Sequence, residues 1–128
     1  MRYLLDTHAF LWWIIDDPRL PERARSLIQE SSNEIVLSAA SSWEMAIKAQ
    51  LGKLEASGDL AGFVTDHLHR NRFGVLPVHV RHSLAVATLP LLHRDPFDRM
   101  LVAQSQLENM PILTGDPLIW QYAVETVW

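Results

Sequence analysis

The feature that most constrains the fold of this chain is an alternation between short apolar runs and longer segments with helical spacing. Five runs have the length and aliphatic composition of buried strands, and they cover residues 2–5, 34–38, 74–78, 111–114 and 124–128. Helical segments separate them, at residues 9–15, 21–30, 41–51, 59–70, 79–87, from 96 onward and 118–122. Strands that alternate with helices are typical of a mostly parallel sheet covered by helices. The sequence therefore predicts an α/β fold.

Length and composition are those of one folded domain, and we expect residues 1–128 to form it. Hydrophobic residues make up 48% of the chain, the formal net charge is −4, and there is no cysteine. The acidic balance gives no bulk attraction for nucleic acid, although divalent cations at a local acidic cluster would allow RNA to bind. The absence of cysteine excludes disulfide and thiolate chemistry and is compatible with a cytoplasmic protein. Because the longest apolar run is far shorter than the ~20 residues that span a bilayer, we expect no membrane association.

A charged turn at residues 93–95 leads into the helix that begins near residue 96. Asp95 occupies the N-cap position, Pro96 the first helical position and Asp98 the third. One interpretation is that both carboxylates cap the helix and oppose its dipole. The other is that one of them faces a cation, and the remaining acidic residues bear on that choice.

Three more acidic residues lie at junctions between predicted strands and helices. Asp6 ends the first strand, Glu44 lies in the first turn of the helix after the second, and Asp116 closely follows the fourth. In a parallel sheet these junctions open on one edge, and Asp98 joins them if its helix is oriented alike. Each acid alone is explained as a helix cap or dipole partner, but four together would repel one another unless a cation neutralised them. Oxygen ligands suit Mg²⁺ or Mn²⁺, which can activate water for phosphodiester hydrolysis.

Four segments together resemble the PIN-domain family, specifically its VapC-like toxins. They are Leu4-Leu5-Asp6-Thr7-His8; Ser42-Trp43-Glu44-Met45-Ala46-Ile47-Lys48 with Leu51-Gly52-Lys53-Leu54; His93-Arg94-Asp95-Pro96-Phe97-Asp98-Arg99 with Ala103-Gln104; and Leu113-Thr114-Gly115-Asp116. The resemblance covers nearly the whole chain. It implies a three-layer α/β/α fold with a five-stranded sheet, Mg²⁺-dependent endoribonuclease activity, homodimers and a small VapB-like antitoxin. It carries the catalytic and metal-binding roles to Asp6, Glu44, Asp98 and Asp116, and it leaves Asp95 as the N-cap.

Other polar residues near these acids are candidates for contacts with the RNA substrate. The hydroxyls of Thr7 and Thr114 are placed to orient a water at the site, or equally to bond the local backbone. Arg94 and Arg99 flank the acids and are the preferred phosphate ligands. For Lys48, a solvated helix face is at least as good an explanation as phosphate binding.

The run at residues 9–15 has no polar face, so a helix there needs cover on several sides. We expect Trp12 and Trp13 on this run to contribute to a groove that accepts an amphipathic helix. The resemblance supplies the antitoxin tail as that helix. The simpler interpretation is that the run is core or lies in a homodimer interface.

Two other functions are alternatives to the endoribonuclease. A non-catalytic module with the same fold would be favoured if an acid were missing, and none is. A phosphotransferase with an aspartyl nucleophile at Asp6 would need a second Asp two residues on, where this chain has His8.

A histidine metal site at His79 and His82, which are three residues apart, has no zinc-type spacing to support it.

Overall fold

A single sheet forms the centre of the computed structural model, which describes residues 1–55 and 58–128. Its strands are β1 (Arg2–Leu5), β2 (Glu34–Ser38), β3 (Gly74–Leu76), β4 (Ile112–Leu113) and β5 (Thr126–Val127). They lie in the order β3-β2-β1-β4-β5, and every neighbouring pair is parallel. The predicted α/β fold with a five-stranded sheet is confirmed, and the sheet is wholly rather than mostly parallel.

Helices connect the strands and cover the sheet. In the described part of the chain they are α1 (Thr7–Ile14), α2 (Glu22–Gln29), α3 (Ala39–Gln50), α4 (Leu60–Arg70), α5 (Val80–Ala85), α6 (Pro96–Glu108) and α7 (Pro117–Trp120). Helices α1 and α3 begin two residues earlier than the sequence predicts. The reason is that the last strand residue, or the one after it, is already the cap: Asp6 accepts a hydrogen bond from the Ala9 N–H, and Ser38 accepts one from the Ala40 N–H.

The strands bury both faces because their side chains alternate between two apolar layers. In β1, Tyr3 and Leu5 pack into one layer, while Leu4 packs into the other. The first layer contains residues of α1, α2 and α4 and Met45 of α3. The second is formed largely by α6 and α7. The sheet therefore lies between two helical layers, as predicted.

The strand order places a crevice beside the central strand. From β1 the chain moves outward through β2 to β3, whereas β4 and β5 lie on the other side of β1. The connections after β1 and β4 thus leave in opposite directions, and ligands of open α/β sheets bind at such a point, beyond the carboxyl ends of the strands. Asp6 follows β1 and Asp116 lies three residues after β4, so both acids border this crevice.

A buried glutamine fixes α6 against the same edge of the sheet. Gln104 is fully buried; its Oε1 accepts a hydrogen bond of 2.5 Å from the Ser38 hydroxyl, and its Nε2 donates one of 3.1 Å to the Pro77 carbonyl. Ser38 ends β2 and Pro77 directly follows β3. These two bonds set the position of α6, and with it the position of Asp98 in its first turn.

No helix among the described residues is both long and apolar enough to cross a membrane.

The N-terminus of α6 provides a test of the cap assigned to Asp95. Its Oδ1 accepts hydrogen bonds from the N–H groups of Phe97 at 2.8 Å and Asp98 at 3.2 Å. We expect Asp95→Ala to lower the free energy of unfolding by about 0.5–2 kcal/mol, because it removes the acceptor for both groups. Asp95→Asn keeps an acceptor and should lose much less. Urea unfolding of the two variants measures the difference, and equal stability of both with the wild type would show that Asp95 is not the cap.

Candidate active site

Asp6 is a nearly fully buried carboxylate at the end of the central strand. It is 5% exposed, and its Oδ1 accepts a hydrogen bond of 2.7 Å from the Ala9 N–H. The pKa of Asp6 is raised to about 6, mainly by burial. Hydrogen bonds from the Thr114 hydroxyl and the Ala9 N–H lower it, whereas the charges of Asp116 and Glu44 contribute to the increase. The fold thus holds a carboxylate at a position where its negative charge is poorly solvated.

Glu44 is equally buried, and both of its oxygens have partners. The Thr7 hydroxyl donates a hydrogen bond of 2.6 Å to Oε1, and the Lys48 ammonium lies 2.6 Å from Oε2, one helical turn away on α3. The side chain of Lys48 is 37% exposed, and its ammonium group pairs with Glu44. Thr7 and Lys48 together fix the orientation of this carboxylate.

Asp98 and Asp116 meet at an imidazole. The Nε2 atom of His93 lies 2.8 Å from Oδ2 of Asp98 and 3.7 Å from Oδ2 of Asp116. Burial raises the pKa of Asp98 to about 7; the charges of Asp95 and Glu44 add to the effect, and the bond from His93 opposes it. Asp116 also caps α7 through Oδ1, which accepts a bond of 2.9 Å from the Leu118 N–H. Its second oxygen is the one that faces the cluster.

The four predicted acids lie at the same edge of the sheet and influence one another electrostatically. Glu44 raises the pKa of both Asp6 and Asp98, and Asp116 raises that of Asp6. Among the described residues, one group has ligand atoms within 4.8 Å of one another, namely His93, Asp98 and Asp116. Asp6 and Glu44 lie outside that group. Oxygen-rich ligands whose negative charges are poorly neutralised fit a hard divalent cation.

His93 is the residue of this site that the sequence analysis missed. In the sequence it is only the first residue of the charged turn before α6. Its side chain is 10% exposed and bonds Asp98, which lies five residues further on. A histidine on the turn that precedes a site carboxylate could have suggested this contact. The direction of the imidazole, however, depends on the conformation of that turn, which the sequence does not give.

The remaining polar candidates have different surroundings. Thr114 is fully buried and accepts a hydrogen bond of 3.1 Å from the Asp116 N–H, and Arg94 is exposed on the turn before α6. Arg99 instead donates to the carbonyls of Pro90 and Val86 and to the Tyr122 hydroxyl, at 3.0 to 3.2 Å. Three of the five guanidinium donors are thus used to hold the loop before α6. This leaves Arg94 as the more available of the two predicted phosphate ligands.

Trp12 and Trp13 are both partly buried and face different surroundings. The ring of Trp12 lies 5.9 Å from that of Trp128, and both line a cavity with Asp6 and Asp116. Trp13 donates a hydrogen bond of 2.9 Å from its indole nitrogen to Asn71, the residue that caps the end of α4. Trp12 is therefore next to the acidic residues, while Trp13 faces the α1–α4 side of the protein.

Comparison with known proteins agrees with this fold. Residues 3–124 match the family described as PIN domain. The chain belongs to the PIN-domain family. A 70-residue segment is 41% identical to Ribonuclease VapC16 of Mycobacterium tuberculosis (strain ATCC 25618 / H37Rv), covering 52% of this chain and 48% of that protein. The match thus spans about half the length of the curated relative.

Solved structures with the same fold cover the whole chain. VapBC2 from Rickettsia felis, bound to a DNA fragment from its promoter, matches with a TM-score of 0.72 at 14% identity, covering 99% of this chain and 98% of that one. VapBC-1 from nontypeable Haemophilus influenzae gives 0.68 at 18% identity over 99% and 97%. FitAcB from Neisseria gonorrhoeae gives 0.65 at 17% identity over 100% and 97%. At these identities the likeness establishes the shared fold.

The raised pKa of Asp6 predicts how the metal-free protein responds to pH. Between the unfolded pKa of 3.8 and the folded value of about 6, the folded state binds more protons than the unfolded state. Stability therefore falls as the pH rises through this range, by up to about 3 kcal/mol. We expect Asp6→Asn to be more stable than the wild type at pH 8 in EDTA, and we expect this advantage to be about 2 kcal/mol smaller at pH 4.5.

Thermal unfolding at the two pH values measures this difference. Asp66→Asn is the matched control, since Asp66 is half-exposed on α4 and paired with Arg70. A stability change for Asp6→Asn that is the same at both pH values would contradict the prediction.

Proposed function

We propose that this PIN-domain protein is an endoribonuclease that depends on a divalent cation, Mg²⁺ or Mn²⁺, and that it is the toxin of a VapBC-like pair. The observation that carries the proposal is the meeting of Asp6, Glu44, Asp98 and Asp116 beyond the carboxyl ends of the parallel strands. The 41% identity with a ribonuclease over 70 residues supports the activity. Since its substrate would be cellular RNA, we place it in the cytoplasm.

The chain supplies residues for holding the cation and for orienting the groups around it. Asp98 and Asp116 offer the closest oxygens, Asp6 a buried carboxylate beside them, and Glu44 a carboxylate held by Thr7 and Lys48. When bound, the cation would lower the pKa of a water and stabilise the charge that develops on the leaving oxygen. Thr7 fixes the orientation of Glu44, and Arg94 is positioned to receive a phosphate.

The other functions are less well supported by these contacts. A nucleophilic role for Asp6 would need a second Asp two residues on, and this chain has His8 there. A module without catalysis has no need to place four acids at one edge of the sheet, where Glu44 raises the pKa of both Asp6 and Asp98.

The nuclease is tested by removing one charge from the site. We expect Asp6→Asn to lose about 100-fold or more of the Mg²⁺-dependent cleavage of a labelled RNA, because it weakens binding of the cation. Asp98→Ala should lose as much, while Asp95→Ala keeps substantial activity because Asp95 only caps α6. Asp66→Asn, the same chemical change on the surface of α4, should cleave at the wild-type rate.

Cleavage is followed on a denaturing gel with Mg²⁺ and with EDTA. Wild-type rates in Asp6→Asn, from a preparation free of contaminating nuclease, would refute the proposed site. Equal loss of activity in Asp95→Ala and Asp98→Ala, with equal stability, would show that the two carboxylates share the role.

For the antitoxin we propose a docking surface on the α1–α4 side of the chain. Trp13, Phe63 and Leu68 are partly buried there and pack against the same core layer. Such a surface suits the apolar face of an amphipathic helix, and aromatic anchors usually dominate its binding. Both tryptophans were predicted to take part, but Trp12 also borders the acidic residues, so Trp13 separates partner binding from catalysis.

We expect Trp13→Glu to weaken binding of the small protein encoded beside this chain's gene, and to spare RNA cleavage by the free protein. A buried charge opposes an apolar partner, whereas Trp13 lies away from the carboxylates. Leu107→Glu is the control, since Leu107 is 42% exposed at the end of α6. Isothermal titration of the folded variants measures affinity, and an unchanged affinity for Trp13→Glu places the docking surface elsewhere.

The proposed homodimer has a candidate surface of its own. An apolar groove of about 370 Å³ lies between α3, the segment 78–86 and the start of α6. Trp43 is 62% exposed there and meets Phe97 edge-on at 5.1 Å, and Val80 and Leu84 of α5 are exposed. Exposed apolar side chains this close together favour a protein interface, and a second copy of the chain is the partner that the homodimer requires.

A further inference from the structure

A cavity of about 440 Å³ opens directly from the acidic residues. Four of its lining residues have planar side chains: His8, Trp12, Arg19 and Trp128. Asp6 and Asp116 line the same cavity, so it is continuous with the proposed catalytic site. Its volume lies within the range of small-molecule sites. None of the roles proposed above accounts for it.

The planar groups are packed against one another. The ring centroid of Trp12 lies 5.6 Å from that of His8 and 5.9 Å from that of Trp128, and the guanidinium carbon of Arg19 lies 4.8 Å from the Trp12 ring. Arg19 is held in place by Asp17, which accepts hydrogen bonds of 3.0 and 2.7 Å from its Nε and Nη2. The wall is therefore an ordered aromatic and cationic surface.

The placement of Trp128 depends on the glycine between Thr114 and Asp116. A Cβ added at Gly115 would lie 2.5 Å from Cε2 and Nε1 of Trp128. The indole is thus seated on the backbone of Gly115, at a distance that no side chain allows. The same short segment therefore positions both the carboxylate of Asp116 and the indole beside it.

We propose that this cavity holds one nucleobase of single-stranded RNA, next to the phosphate that lies at the acidic residues; this inference rests on the proposed ribonuclease function. Planar aromatic and guanidinium groups are the surfaces on which bases of single strands stack. The competing occupant is a cationic side chain of a protein partner. The guanidinium of Arg19 already occupies the cation-binding position over the Trp12 ring, so the aromatic surface that remains, on His8 and Trp128, suits a neutral planar base.

In this assignment Trp12 and Trp128 are substrate-positioning residues. They would fix the register of the strand relative to the carboxylates, and they would give the cut site a preference for bases that stack well. Because base stacking needs no base-specific hydrogen bonds, we expect a graded preference for purines rather than an absolute sequence requirement.

The test measures how binding of a fluorescein-labelled ten-nucleotide RNA changes when single bases are removed, one position at a time. Binding is followed by fluorescence anisotropy in Ca²⁺, and a gel verifies that the RNA stays intact. Each position in turn carries a ribose without its base. With the wild-type protein, loss of one particular base should weaken binding by about 5- to 100-fold. Trp12→Leu should bind the intact RNA more weakly by a similar factor, and removal of that base should then cost nothing more.

Trp13→Leu is the matched control, since it removes an indole from the same helix outside the cavity. It should give the wild-type pattern, and Trp12→Phe should restore most of the affinity. Trp128→Leu, which alters the opposite wall, replaces Trp12→Leu if thermal melting shows that the latter does not fold.

Several outcomes overturn the assignment. One is an equal, small loss of RNA affinity at every abasic position. Another is a loss of affinity at one position that is the same in the wild type and in the Trp12 and Trp128 variants. A third is no measurable binding of RNA. Variants that bind RNA normally but lose affinity for an arginine-containing peptide would assign the cavity to a protein partner. The wild-type protein could lose affinity at one abasic position, and Trp12→Leu could abolish that loss, while the wild type cleaves no RNA in Mg²⁺ or Mn²⁺. That result would support the base site and refute the ribonuclease.

Discussion

The structure depends on keeping negative charge at the buried carboxyl end of the central strand. Asp6 follows β1, the central strand of the sheet, which pairs with β2 and β4. Its charge is poorly solvated there, and the fold offsets this with the N–H groups at the start of α1. The same arrangement recurs at Asp95 and Asp116, each of which caps the helix that follows it. Two of the four predicted site carboxylates, Asp6 and Asp116, are therefore also helix caps.

Cap and cation ligand are compatible roles, although sequence reasoning treats them as alternatives. A carboxylate has two oxygens and about four acceptor positions, and a cap uses only part of that capacity. Asp116 bonds the Leu118 N–H through Oδ1 and turns Oδ2 toward His93. The cap fixes the orientation of the side chain, and the second oxygen then faces the cluster without loss of further side-chain entropy.

The sequence was most informative where a local rule decides the outcome. The bounds of β1 and β2 follow from unbroken apolar runs, and Asp95 is recognised as a cap because Pro96 follows it. Strands β3, β4 and β5 are shorter than the apolar runs that contain them. The reason is that hydrogen bonding between two strands stops where the paired strand ends. The partners of His93, Lys48 and Arg99 depend on how separate elements pack, and no spacing along the chain contains that information.

The pairing of β1 with β4 has a consequence for the order of events in biosynthesis. Leu4 and Leu5 lie beside Ile112 and Leu113 in the sheet, so the central strand acquires its second neighbour only after residues 112 and 113 have been made. Contacts of such long sequence separation form late and slow the folding of a domain. A ribosome-bound fragment that ends before Asp116 has an incomplete set of carboxylates. Under the proposed ribonuclease function, this order of synthesis keeps the catalytic site incomplete until Asp116 has been made.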